Sequence, residues 1–153
     1  MAKALTRSKR NLRRNDAGSA AIEFGLFVPF FVILLTGVVE IGFAMFGSLQ
    51  VYNAVEAGTL YAAKNGWNAS GISSAVVNAS GTTGIAASPA PTQFCGCPAL
   101  AGITVATCGT TCSGGAAVSQ YIRINATLTR ATILTSGFGL PATLTAQAVV
   151  RQN

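Results

Sequence analysis

Residues 18–46 read GSAAIEFGLFVPFFVILLTGVVEIGFAMF, and the fold turns on how this stretch is satisfied. No charge stands between Phe24 and Val39, and beyond Glu40 the apolar run continues to Phe46. A helix over residues 24–46 reaches roughly 35 Å at 1.5 Å per residue, enough to cross the hydrocarbon core of a bilayer. Upstream, Lys3, Arg7, Lys9, Arg10, Arg13 and Arg14 supply six of the ten basic groups. Such a block predicts a cytoplasmic N-terminus with the remainder exported. An ordinary cleaved secretory signal is the plainer alternative. The length of the run, the acid inside it and the lack of a small-x-small cleavage site after it favour an anchor that is kept. Arg13-Arg14 does not make a twin-arginine signal, because the polar Asn15-Asp16-Ala17 follows.

At 153 residues the chain has room for one modest domain beyond this segment. Half of it is hydrophobic and 9% is charged, well under the quarter usual in a soluble domain. The four acids are Asp16, Glu23, Glu40 and Glu56, so no acidic side chain follows residue 56. Removing residues 1–18 takes away +6 and −1 and leaves +4 and −3, a net of +1. The basic character therefore belongs to the first 18 residues. It marks topology rather than a nucleic-acid partner, since the basic run lacks interleaved aromatics and abuts an apolar helix. Histidine is absent altogether, which removes the commonest general base, metal ligand and pH switch. A Ser–Lys pair using Lys64 is the one catalytic arrangement left open. The sequence predicts a protein that is not an enzyme, with no cofactor, no metal and no nucleic-acid partner.

A carboxylate at the bilayer centre costs roughly 2.5–3.5 kcal/mol on insertion scales, so Glu23 and Glu40 need partners. Glu23 sits at the cytoplasmic edge, five residues beyond Gly18. Glu40 lies near the opposite end, where water or a neighbouring helix would satisfy it.

The stretch Gly18-Ser19-Ala20-Ala21-Ile22-Glu23-Phe24 resembles a type IV prepilin processing site: a basic leader ending in glycine, then glutamate at the fifth position after it. More closely, residues 17–66 resemble the TadE-like minor pilins or pseudopilins of tight-adherence (Flp-type) pilus systems. Glu23-Phe24, Pro29 and Glu40-Ile41-Gly42 carry that likeness, and residues 144–151 resemble the family's last strand. Phe43 stands where members often have a basic residue, and the cysteine cluster is no part of the pattern. The resemblance implies cleavage between Gly18 and Ser19 by a prepilin peptidase. It also implies that Glu23 meets the new α-amino group of a neighbouring subunit, which needs a counter-charge in a poor solvent and fixes the axial register. Removing the leader frees the helix from the cytoplasmic surface. Gly18, Ser19, Ala20, Ala21, Gly25, Gly37 and Gly42 are small enough for close helix contact. Pro29 should bend the helix or interrupt its hydrogen bonds locally.

The rest reads as an exported head. Val51, Val55, Gly58 and Ala62 recur at helical spacing over residues 47–66, with Asn65-Gly66 as a stop. Two helices broken near Gly47-Ser48 are the alternative. A short helix is predicted over residues 72–78, then a Gly/Ser/Thr/Pro-rich loop to residue 91. Strands are predicted at 93–97, 119–130 and 142–151, the last two joined by a loop at 132–141. In the second, Tyr121, Arg123, Asn125 and Thr127 should face away from Ile122, Ile124, Ala126 and Leu128. A long helix followed by a small antiparallel sheet is α+β.

Cys95, Cys97, Cys108 and Cys112 fall within eighteen residues and most simply form two disulfides in an exported domain with a thin core. Cys95 and Cys97, on one side of a strand, should not pair with each other. Of the three connectivities the nested one, Cys95 to Cys112 and Cys97 to Cys108, is preferred. Zinc is the alternative, although the spacing is not a doubled C-x-x-C. The Asn-x-Ser/Thr triplets at Asn68, Asn78 and Asn125 are chance matches in so Ser/Thr/Ala-rich a chain.

The expected organisation is a basic leader (1–18), a transmembrane and assembly helix (19–46) and a pilin-like head (47–153). The implied protein is a subunit of a tight-adherence pilus, held in the bacterial inner membrane with its head in the periplasm. Its partners would be the lipid bilayer, the prepilin peptidase, other pilin subunits and the assembly machinery, with surface adhesion and biofilm formation as the outcome. An unprocessed, membrane-tethered periplasmic binding module is the alternative. A secreted, disulfide-rich protein is a third reading.

Overall fold

The structure is a computed structural model that describes residues 16–133 and 139–152. The leader expected at residues 1–18 lies outside the described residues except for its last three. Two compact units meet in sequence at Val38 and Val39.

The first unit is the N-terminal part of helix α1 (Asp16–Asn65). It is apolar all round and bare: Phe24, Leu34 and Val38 are each about two-thirds exposed. A helix with no polar face is made for a protein core or for lipid. Thr36 turns its hydroxyl back onto the carbonyls of Val32 and Ile33, at 3.0 and 2.9 Å, so its polar atom is met within the helix. The helix passes through Pro29, confining the expected interruption to the hydrogen bond a proline nitrogen cannot donate.

In the second unit, α1 continues past Gly47-Ser48 without a break, so the two-helix alternative does not hold. Its character changes at Glu40. From there Glu40, Ala44, Val51, Ala54, Val55 and Ala62 are buried along one face, at spacings that return every turn or two. Two glycines on that face let the helix sit close to the sheet. A Cβ on Gly47 would lie 2.7 Å from Leu144 Cδ1, and one on Gly58 would lie 2.7 Å from Val76 Cγ2 and 3.0 Å from Ile124 Cγ2. The helix ends as expected at Asn65: Gly66, at φ +74°, donates its N–H to the Ala62 carbonyl at 2.9 Å.

Helix α2 (Ala69–Asn78) begins three residues earlier than expected, because Asn68 caps it. The Asn68 side chain accepts from Gly71 N at 3.0 Å, satisfying a free donor of the first turn. Ile72 and Val76, a turn apart, are its buried residues.

Five strands follow: β1 (Ile85–Ala86), β2 (Thr92–Ala99), β3 (Gly102–Val105), β4 (Ser119–Thr129) and β5 (Thr143–Arg151). All pairings are antiparallel. β4 is central, with β5 along one edge from Tyr121↔Arg151 to Thr129↔Thr143. β2 and the short β1 share the other edge, and β3 lies outside β2. β2, β4 and β5 fall where the sequence places strands; β1 and β3 were not foreseen. The alternation in β4 is as predicted. Ile122, Ile124, Ala126 and Leu128 pack with Leu144 and Ala146 against α1 and α2, forming the core. On the opposite face Tyr121 stacks on Phe94 at 5.8 Å, and the Arg123 guanidinium lies 4.8 Å from the Phe94 ring centre. Asn125, also on that face, is nevertheless buried: it donates to Pro89 O at 3.2 Å and accepts from Gln147 Nε2 at 2.7 Å. The architecture is α+β, as the sequence implies.

Candidate functional site

Gly18 and Ser19 lie in the first turns of α1 and are exposed. Glu23 and Phe24 are exposed on the same helix, and among the described residues Glu23 makes no salt bridge. The implied cut and the implied counter-charge thus stand about one turn apart along the helix, exposed on every residue from Gly18 to Phe24. Within the described chain, Glu23 is available to something outside it.

Glu40 is in the opposite position. Its side chain is 1% exposed and both carboxylate oxygens are taken. Arg130 Nη1 donates to Oε1 at 2.6 Å, and the Ile133 backbone N–H donates to Oε2 at 3.0 Å. Arg130, just past the end of β4, has a side chain only 8% exposed. Its Nε donates to the Pro141 carbonyl at 3.2 Å, and its backbone N–H to the Ala142 carbonyl at 2.9 Å. One arginine therefore joins the helix to both ends of the β4–β5 connection. Arg130 Nη2 is buried without a hydrogen-bond partner among the described residues.

This answers the question of what satisfies Glu40: neither water nor a neighbouring helix, but the chain's own head. Arg130 lies 90 residues away, and no local pattern could have singled it out. The available signal was scarcity, since only Lys64, Arg123, Arg130 and Arg151 follow residue 18 as bases. Beside the pair runs a groove of about 510 Å³ lined by Phe43, Phe46, Gly47, Gln50, Leu128 and Ala131, among others.

All four cysteines are disulfide-bonded, but the preferred nested pairing is incorrect. The bonds are Cys95–Cys108 and Cys97–Cys112, with Cα separations of 5.2 and 5.7 Å. The cause is the path after β3. Ala106 N donates to Cys95 O at 2.9 Å, so a straight continuation would carry both later cysteines away beyond Cys95. A turn intervenes, with Thr110 N donating to Thr107 O at 3.3 Å and Gly109 at φ +83°. Cys108 closes on Cys95 as the chain enters this turn, and Cys112 returns to Cys97.

The fold and site together define a small α+β head carried on one long helix that is long and apolar enough to cross a membrane. Residues 18–60 match the model of the family described as TadE-like protein, so most of the long helix is similar to that family. That segment contains Glu23-Phe24, Pro29 and Glu40-Ile41-Gly42, the residues on which the resemblance was read. The match stops at residue 60, so the likeness at residues 144–151 rests on those residues alone. No curated protein and no solved structure matches the chain.

Proposed function

We propose that the protein is a minor pilin or pseudopilin, made as a precursor, cut between Gly18 and Ser19 by a prepilin peptidase, and used to assemble a tight-adherence pilus. The observation that carries this reading is the TadE-like match, which begins at Gly18 and runs along a helix whose first unit is bare and apolar. Before assembly the helix holds the protein in the bacterial inner membrane, N-terminus in the cytoplasm and head in the periplasm. After the cut, Ser19 presents an α-amino cation, and Glu23 of a neighbouring subunit neutralises it in the dry interior of a filament. Gly18 leaves with the leader. Ser19, Ala20, Ala21 and Gly25 keep the contact close. Phe24 packs beside Glu23 in the same interface. The head then faces outward, and surface attachment and biofilm formation follow from the finished pilus. The chain does this as a structural subunit, without catalysis.

Glu23→Ala tests the reading in cells through the amount of subunit recovered with sheared pili. Incorporation should fall severalfold while membrane levels stay normal. Pili that take up Glu23→Ala as readily as the parent chain would refute the counter-charge mechanism.

A further inference from the structure

Glu40 directly follows the uncharged stretch, and residues 19–39 as a helix span about 32 Å, close to the thickness of a hydrocarbon core of about 30 Å. With α1 read as an anchor, a span that starts at Ser19 reaches the far side of that core at Glu40 rather than at Phe46, where the apolar run ends. Ile133 is at that level too, because its N–H is 3.0 Å from Glu40 Oε2. Around this point the head shows water a ring of large apolar side chains: Ile41 is 47% exposed, Phe43 58%, Phe46 62% and Ile133 53%. Phe43 stands about 4.5 Å along the helix from Glu40, within the several ångströms of headgroup zone on each side of a bilayer. The only charges here, Glu40 and Arg130, are buried against each other. No charged residue occurs in 41–55 or in 131–150.

We propose that the base of the head, formed by Ile41, Phe43, Phe46 and Ile133 around the buried Glu40–Arg130 pair, is a seating surface that dips into the interfacial zone of a phospholipid bilayer. The proposal rests on the reading of α1 as a membrane anchor and adds that the head itself touches lipid. A bilayer fits this surface better than a protein partner because Ile41, Phe43 and Phe46 continue the span without a gap in sequence and Ile133 is held beside them by its bond to Glu40. The ion pair makes this contact feasible. It withholds from the lipid two charges that the ring would otherwise carry down with it. Since the surface is neutral, seating depends on apolar contact and not on anionic headgroups.

The test uses the full chain in phosphatidylcholine vesicles at low protein-to-lipid ratio. Trp67, the only tryptophan, is replaced (Trp67→Phe), and one tryptophan is then introduced by Ile133→Trp, by Leu35→Trp within the span, or by Val105→Trp on β3. Quenching is read with lipids brominated near the headgroup end of the acyl chain and with aqueous iodide. The tryptophan of Ile133→Trp should be quenched by the brominated lipid and be severalfold less sensitive to iodide than that of Val105→Trp. Adding phosphatidylglycerol should change neither result. Iodide quenching equal to that of Val105→Trp, with no lipid quenching, overturns the proposal while Leu35→Trp still reports lipid. Protection from iodide without lipid quenching also overturns it, in favour of a second copy covering the surface. Should Leu35→Trp itself escape the brominated lipid, the membrane anchor fails and this proposal with it. Phe43→Trp provides a second probe of the same ring if Ile133→Trp does not fold.

Discussion

A carboxylate just past an apolar span can be satisfied by water, by another helix or by the domain that follows it. Glu40 takes the third course, and Glu23, set among apolar and small residues, does not. The two glutamates are thus opposite in kind: Glu40 is satisfied within the chain, whereas Glu23 is exposed and makes no salt bridge among the described residues. Removing one member of the Glu40–Arg130 pair leaves the other charge buried alone, which is worse than having neither. Glu40→Ala and Arg130→Ala should each lower the unfolding temperature of the detergent-solubilised protein by several degrees. The double variant Glu40→Leu/Arg130→Leu should recover part of that loss. Single variants that melt like the parent chain would show that the pair does not hold the head together. The partner itself was not legible in sequence. The spacing identified Glu40 as an acid needing a partner, but β4 and its end had to be placed in space before Arg130 could be named.

At the scale of elements, the legible parts are those that repeat a period. Helix α1 was readable because Val51, Val55, Gly58 and Ala62 carry helical spacing straight on from the apolar run. β4 and β5 were readable because their alternation persists over 11 and 9 residues. β1 has two residues and β3 four, too short for any period to emerge, and both exist only through pairing with longer neighbours. The disulfide pairing was missed for a related reason. It depends on one turn at residues 107–110, which no spacing of the four cysteines discloses. Loops of this size make each bond worth about 3 kcal/mol in the chain-entropy view. Peptide mapping without reduction should recover Cys95 linked to Cys108 and Cys97 linked to Cys112. In a Cys97→Ser variant the free thiol should be Cys112. A free Cys108 in that variant would restore the nested arrangement.

For the molecule as a whole, two units of different chemistry share one helix. The first, apolar on every side, is at home in lipid or against like helices. The second, from Val39 onward, has a core of its own in which α1 and α2 cover one face of the sheet. This division suits the subunit proposed above, held by its helix before assembly and through that same helix afterwards. The apolar span and the TadE-like segment were readable from residues 18–66, where composition changes abruptly, and the α+β class followed only once the alternating strands beyond residue 92 were added. The remainder of the head, uncharged from residue 65 to residue 122, offers few such signals.

The claim on which the functional account depends is the cut between Gly18 and Ser19. Intact mass and N-terminal peptide sequencing of protein extracted from membranes of the producing cells test it most directly. The account predicts a mature chain that begins at Ser19 and keeps the whole apolar helix. A chain that retains the residues before Ser19, or one that begins beyond Phe46, would contradict it.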